Sequence, residues 1–269
     1  MPSVCVPNLA DVTISGNRDQ SGVVLCGSIF DGRQLEGWTF RIDAYYRTLE
    51  AARHQDGPET AGHIAPSGRF VPTASSFTLG TVFTEDDFRA LFAGIRGGPA
   101  GAWIREELQN EIVCDVDQAW VRRQYAPGNY PPLHAPHGWH QDGALGFDFL
   151  AHQDGGFPAD SLLPMVTCWI ALGSCGEESP GLELVMRRIE RLVAPSDLID
   201  ERVRARFEPM EFSRPAMGLG DALLFRGDIL HRTHVTPAMT KDRTSIELRF
   251  FPADNVPVRL KGDRFMTVS

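Results

Sequence analysis

The sequence predicts a mainly β protein with flanking helices, its core a double-stranded β-helix, or jelly roll, of the cupin-like kind. Three observations carry that prediction. Helix-forming segments are concentrated in the first part of the chain, about residues 1–112. From about Val113 to residue 255 the pattern changes to short apolar runs separated by Gly and Pro, as in strands that end in turns. Helices and strands do not alternate, which favours an antiparallel double sheet with helices packed outside it over a parallel sheet with helical crossovers.

The elements follow in order. The start, MPSVCVPNLADVTISG, has no basic residues leading into an apolar stretch, and no run reaches the ~18 apolar residues of a membrane span. RIDAYYRTLEAARH (Arg41–His54) is rich in helix formers and stops at the breakers of QDGPE. In TEDDFRALFAGIRGG, Thr84 is placed to cap a helix, acidic residues follow it, Phe83 and Phe88 stand at staple positions, and Gly97-Gly98 end it. GAWIREELQNEI is expected to continue as a further helix. AWVRRQYAPGN, MVTCWIALGSCG, PGLELVM, MEFSRPAMGLGDALLFRGD and RTSIELRFFP each read as a strand ending in a turn, and APSDLIDERVRARF as a short helix with Ser196 at its start. No domain-sized repeat or low-complexity linker interrupts the chain, so residues 1–269 read as one domain.

Composition narrows the function. The chain carries 26 basic and 35 acidic residues, a net charge of −9, so nucleic acid is not an expected partner. With no membrane segment either, the expectation is a cytoplasmic protein. Cys5, Cys26, Cys114, Cys168 and Cys175 are odd in number and lack a CxxC pair, which argues against a disulfide framework and a thiolate zinc site. The oligomeric state is not legible.

The segment WHQDGALGFDFLAHQDGG contains His-Gln-Asp-Gly twice. Residues two apart on a strand share a face, so His140 and Asp142 can reach one cation while Trp139 and Gln141 point away; the same holds for His152 and Asp154. A third ligand is needed, and GDALLFRGDILHRTH supplies His231 and His234. Two histidines and a carboxylate fill one face of an octahedron and leave three positions open, the arrangement of non-haem Fe(II) oxygenases.

From roughly Trp120 to Phe251 the sequence resembles the phytanoyl-CoA dioxygenase family of Fe(II)- and 2-oxoglutarate-dependent oxygenases, through VRRQYAPG, WHQDG, VTCWIAL, SPGLELV, GDALLFRGDILHRTH and RTSIELRF in that order. The resemblance implies His231 as the distal ligand, with His234 a neighbour of the site. It implies Arg243 as partner of the far carboxylate of 2-oxoglutarate, a role that suits a planar guanidinium. It also places Thr233, Ser245, Gln124 and Trp169 around the cosubstrate. The first fifty residues resemble no part of the family, and LVMRRIERLV replaces its usual proline-glycine-serine-histidine stretch.

Context favours the first His-Gln-Asp-Gly. A strand, a proline-rich turn and an aromatic residue lead into His140, whereas His152 precedes GGFPADSLLP, whose composition describes a surface turn. His152, His134, His137 and Arg226 are then candidates for substrate contact, with the loop from Gly143 to Leu163. RRIERLV reads as a solvated basic face, Arg249 as a structural strand residue, and GIRGGPAG as a helix end and not a phosphate loop.

The expected activity is hydroxylation of an unactivated C–H bond in a small-molecule substrate, using Fe(II), 2-oxoglutarate and dioxygen and releasing succinate and carbon dioxide. Asp142 argues against halogenation, which needs that ligand removed; desaturation, cyclisation and epimerisation share the same ligands. Two other readings stay open: a cupin-like metalloenzyme that does not use 2-oxoglutarate and so has no role for Arg243, and a non-catalytic jelly-roll binding protein.

Overall fold

The computed structural model describes residues 21–56, 75–129, 135–144, 162–256 and 264–268. Two antiparallel sheets pack face to face, with helices on the outer side of the larger one. The larger sheet runs in the order β1 (Val23–Cys26), β9 (Ala222–Arg226), β6 (Val166–Ala171), β11 (Arg243–Pro252), β3 (Ile112–Asp115) and β12 (Phe265–Thr267). β4 (Trp120–Gln124) also pairs with β11, and β2 (Ser76–Thr78) with β4. The smaller sheet runs β5 (His140–Gln141), β10 (Leu230–His234), β7 (Gly181–Val185) and β8 (Phe212–Ser213). The predicted mainly β jelly roll with flanking helices is the observed fold. Strands β1 and β2 come from the stretch that composition marks as helical, so that part is not helical throughout.

Alternation along β11 divides the interior in two. Ile246, Leu248 and Phe250 face the helices, in a core with Trp38, Leu91 and Ile104. Arg243, Ser245, Glu247 and Arg249 face the second sheet, on the side where Trp169, Leu223 and Phe225 of the larger sheet meet Leu182 and Leu184 of the smaller.

Three helices cover the first core. α1 (Gly32–Asp56) is longer than its helix-rich centre predicts and buries Trp38, Ile42 and Tyr46, one helical turn apart. α2 (Glu85–Gly97) has the predicted cap: the Asp87 N–H donates to Thr84 Oγ1 at 3.2 Å and the Thr84 N–H to Asp87 Oδ2 at 2.8 Å, with the Phe83 and Phe88 rings 5.6 Å apart. α3 (Pro99–Leu108) ends earlier than predicted, because Gln109 takes a left-handed conformation at φ 61° that closes the helix and lets β3 begin at Ile112. A fourth helix, α4 (Asp200–Arg206), also departs from expectation: Ile199 occupies its cap position, and Ser196 lies in a separate 3-10 turn, Pro195–Asp197. Proline at the head of that turn favours the short helix at Ser196 and delays α4.

Among the described residues Cys26, Cys114, Cys168 and Cys175 are buried and unpaired; Cys5 lies outside them. Among the described residues no helix is long and apolar enough to cross a membrane.

The reciprocal cap of α2 makes Thr84 a stability determinant far from any site. Thr84→Ala is expected to lower unfolding stability by about 1 kcal/mol, measured as a lower urea midpoint with an unchanged slope.

Candidate metal centre

The site begins with one strand pairing. β5 and β10 are antiparallel, with His140 directly opposite His231. Cross-strand partners point to the same face, and here the two imidazole centroids lie 4.1 Å apart. Asp142 completes the group: its Oδ1 is 3.6 Å from His140 Nε2 and 3.7 Å from His231 Nε2. One ligand atom from each of the three residues lies within 4.8 Å of the other two.

Asp142 reaches this position from a turn and not from the strand, as the two-residue spacing alone suggests. β5 stops at Gln141, and Asp142–Ala144 form a 3-10 turn. The turn is fastened by the Gly143 N–H donating to the Gly227 carbonyl at 2.8 Å. A Cβ on Gly143 would lie 2.9 Å from that oxygen, so the backbones approach this closely only with glycine.

The donor atoms are prepared for a cation. His140 Nδ1 lies 2.8 Å from the Gly138 carbonyl and His231 Nδ1 3.0 Å from the Ile229 carbonyl. A carbonyl only accepts, so each Nδ1 carries the hydrogen and each Nε2 presents its lone pair to the centre. Burial, with His140 alongside, lowers the His231 imidazole to about 3, which keeps it neutral. Burial alone would raise the Asp142 carboxyl, but Arg249, His231, His140 and Thr167 outweigh it and hold the group well below the usual carboxylate range. Asp142 Oδ2 is already engaged, accepting from Thr167 Oγ1 at 2.5 Å and lying 3.5 Å from Arg249 Nη2. One carboxylate oxygen and two imidazole nitrogens therefore converge, a set that suits a divalent transition cation such as Fe(II) and occupies one face of it. The side chain of His140 is 37% exposed against 5% for the other two, so the centre opens on the His140 side.

The ligands line a cavity, partly open to solvent, that extends between the sheets to Arg243. Arg243 is 2% exposed; its Nη1 donates to Ser245 Oγ at 3.3 Å, its guanidinium lies 4.8 Å over the Trp169 ring, and its Nε has no hydrogen-bond partner. Burial lowers its pKa to about 10, so it keeps its charge at neutral pH. A buried cation with an unused N–H at the end of a pocket suits a carboxylate. Thr233 and Trp169 line the same cavity; Ser245 and Gln124 sit beside Arg243, Gln124 as its cross-strand partner on β4.

His137 stands at the mouth, its Nε2 2.6 Å from Arg122 Nη1, and that guanidinium lowers the imidazole to about 2. Arg226 does not face the cavity. It lies next to the inward-facing Phe225 and so points to the helices, where it pairs with Glu107. His234 falls on the outer face of β10, within reach of Glu183, Arg204, Arg214 and Arg232, away from the three ligand atoms. His134 and His152 lie outside the described residues.

Six cavity residues are not among the sequence-predicted site residues: the polar Arg122, Thr167, Glu247 and Arg249, and the apolar Leu182 and Phe225. Period two on β11, counted from Arg243, was the available signal for two of them. Arg249, expected as a structural strand residue, lies beside Asp142. RRIERLV is exposed at Arg187, Glu190 and Arg191, yet it is tied to β5: the Gln141 side chain donates to the Ile189 and Arg191 carbonyls and accepts from the Val193 N–H.

No protein-family model matches the chain, and no curated protein matches it by sequence. Solved structures match its fold. EctD from S. alaskensis, in its apoform, shares 14% identity over 91% of this chain and 78% of its own, at a TM-score of 0.58. SnoK, a non-haem alpha-ketoglutarate-dependent carbocyclase from nogalamycin biosynthesis, shares 15% over 94% and 93%, at 0.55. SnoN, the alpha-ketoglutarate-dependent epimerase of the same biosynthesis, shares 15% over 93% and 94%, at 0.54. At such identities the likeness establishes the fold: this chain has the double-stranded β-helix of these enzymes.

The neutral state of His231 has a measurable cost. Its imidazole titrates near 6.5 when unfolded and near 3 when folded, so between those values the unfolded chain binds the extra proton and stability falls as pH falls. The wild-type contribution should drop by about 1.4 kcal/mol per pH unit in mid-window. Urea unfolding of metal-free wild type and His231→Gln at pH 7 and pH 5 reads it. The wild type should lose more than the variant between the two; equal losses would contradict the assignment.

Proposed function

We propose that the chain is an Fe(II)- and 2-oxoglutarate-dependent oxygenase of the phytanoyl-CoA dioxygenase kind, one domain across residues 1–269. Its reaction is hydroxylation of an unactivated C–H bond of a small-molecule substrate with dioxygen, releasing succinate and carbon dioxide. One observation carries the reading: a single cavity joins a convergent His-Asp-His group to a buried arginine that still has an unpartnered N–H. A cupin-like enzyme without 2-oxoglutarate gives no reason for that arginine. SnoN, which shares the fold, is known in complex with Fe3+, alpha-ketoglutarate and nogalamycin RO. SnoN and SnoK are an epimerase and a carbocyclase, so the fold accommodates outcomes beside hydroxylation.

In this reading His140, Asp142 and His231 hold Fe(II), which when bound with 2-oxoglutarate supplies the oxidising chemistry. The Nδ1 contacts to Gly138 and Ile229 fix the two imidazoles, and Thr167 occupies one oxygen of Asp142, so the three residues would hold the metal through one atom each. Arg243 grips the far carboxylate, braced by Trp169 and Ser245, with Gln124 and Thr233 completing that end. Phe225, its ring 4.5 Å from His231, keeps water from one flank of the centre. Substrate enters beside His140 and His137.

Succinate formation from 2-oxoglutarate by the Fe(II)-loaded protein in air tests the proposal. Wild type should turn over slowly without substrate, and Arg243→Met should raise the KM for 2-oxoglutarate about ten- to a hundredfold, the loss of a charged hydrogen bond. Iron bound with no succinate formed would favour the cupin-like reading, and no iron bound the non-catalytic one.

A further inference from the structure

The strand that carries His140 has little backbone support of its own. β5 is two residues long and lies at the edge of the smaller sheet, and its pairing with β10 covers only Gln141 opposite Leu230 and His140 opposite His231. Strands usually run roughly three to ten residues, so the position of His140 depends on the side chains around it. The demand is high, because without a cation three electron-rich donor atoms converge and repel one another. Ligands held in place before the ion arrives leave less ordering cost to binding.

One surface segment supplies the support. Gln141, which follows His140, donates through Nε2 to the Ile189 and Arg191 carbonyls, each at 3.2 Å, and accepts from the Val193 N–H at 2.9 Å. Trp139, which precedes it, packs with Val193, Val203 and Phe207 and donates its indole N–H to Asp200 Oδ1 at 2.9 Å. The same carboxylate oxygen lies 2.8 Å from Nη1 of Arg232, the neighbour of His231, and 3.4 Å from Nε of Arg204. Both guanidinium groups stand over the Trp139 ring, Arg232 at 4.8 Å and Arg204 at 5.5 Å. Asp200, the first residue of α4, thus joins the residue before one histidine ligand to the residue after the other. It does so from outside the cavity, with its side chain 47% exposed.

We propose that Asp200 is a positioning residue for the metal centre. It fixes the spacing of His140 and His231 through Trp139 and Arg232, and so sets metal affinity from the protein surface. The inference rests on the reading of His140, Asp142 and His231 as a metal centre.

Co(II) alone is the probe, titrated into the metal-free full chain and followed by its visible absorption in wild type, Asp200→Ala, Asp200→Asn, Trp139→Phe, the Trp139→Phe/Asp200→Ala pair and Thr84→Ala. Asp200→Ala should weaken Co(II) binding about tenfold, the lower end of the effect of outer partners of metal ligands, and should shift the visible bands at saturation, since the ligand geometry changes. Asparagine keeps the acceptor oxygen and loses the charge, so Asp200→Asn should recover most of the affinity. Trp139→Phe keeps a ring and loses the N–H; it should weaken binding too, and Asp200→Ala added to it should cost less than it does alone. Thr84→Ala, which lowers stability at α2, should bind Co(II) as wild type does. Wild type that binds no Co(II) overturns the metal-centre reading itself. Where wild type binds, unchanged affinity or unmoved bands in Asp200→Ala overturn this inference alone. An equal loss in Asp200→Asn, the signature of charge, or in Thr84→Ala, the signature of stability, overturns it as well.

Discussion

The antiparallel pairing of β10 with β5 is the constraint on which the centre depends. It sets His231 opposite His140, and a shift of one residue would turn Arg232 inward and send His231 to the outer face. The register is secured from outside the pocket. Arg232 and Glu183 are cross-strand partners on the outer face of β10 and β7, with Nε and Oε2 2.7 Å apart, and Arg204 and Arg214 close over the same fully buried carboxylate. Removing one partner of such a buried pair costs several kcal/mol. The outer face of the smaller sheet therefore specifies what its inner face presents.

Charge inside the jelly roll follows a related logic. Arg122, Arg243 and Arg249 share the space between the sheets with Glu247 and Asp142. Arg122 Nε lies 3.1 Å from Glu247 Oε1, and Arg249 approaches both Glu247 and Asp142. Aromatic rings of Trp120 and Trp169 cover Arg249 and Arg243, and cation–π contact moderates the desolvation of both. What remains unpaired is on the arginine side, which makes the interior receptive to anions while the protein as a whole carries a net charge of −9.

Much of this was legible in the sequence, and the exceptions have physical causes. Thr84, Asp87, Phe83 and Phe88 form a local unit whose contacts lie within a few residues, so the pattern alone located it. His140 and Asp142 stand out as ligand types at strand spacing and His231 through the family resemblance, and the ligand atoms of the three do meet. Strand phase was harder. In GDALLFRGD, Leu223, Leu224 and Phe225 are all buried, so apolar character does not reveal which face is inward, and Arg226, a candidate for substrate contact, pairs with Glu107 on the helix side. Arg249, read as a structural strand residue, is buried beside Asp142, a contact across the sheet that sequence spacing does not show. The left-handed Gln109 that ends α3 carries no such signal, because tertiary closure and not residue preference imposes it.

In the proposed function His140, Asp142 and His231 form the Fe(II) centre, with His140 and Asp142 from the first His-Gln-Asp-Gly. Anaerobic addition of Fe(II) and 2-oxoglutarate, followed by the visible metal-to-ligand charge-transfer absorption, tests this most directly in wild type, His140→Ala and His152→Ala. The band is expected in wild type and His152→Ala and is expected to be lost in His140→Ala. A band that survives in His140→Ala and vanishes in His152→Ala would contradict it.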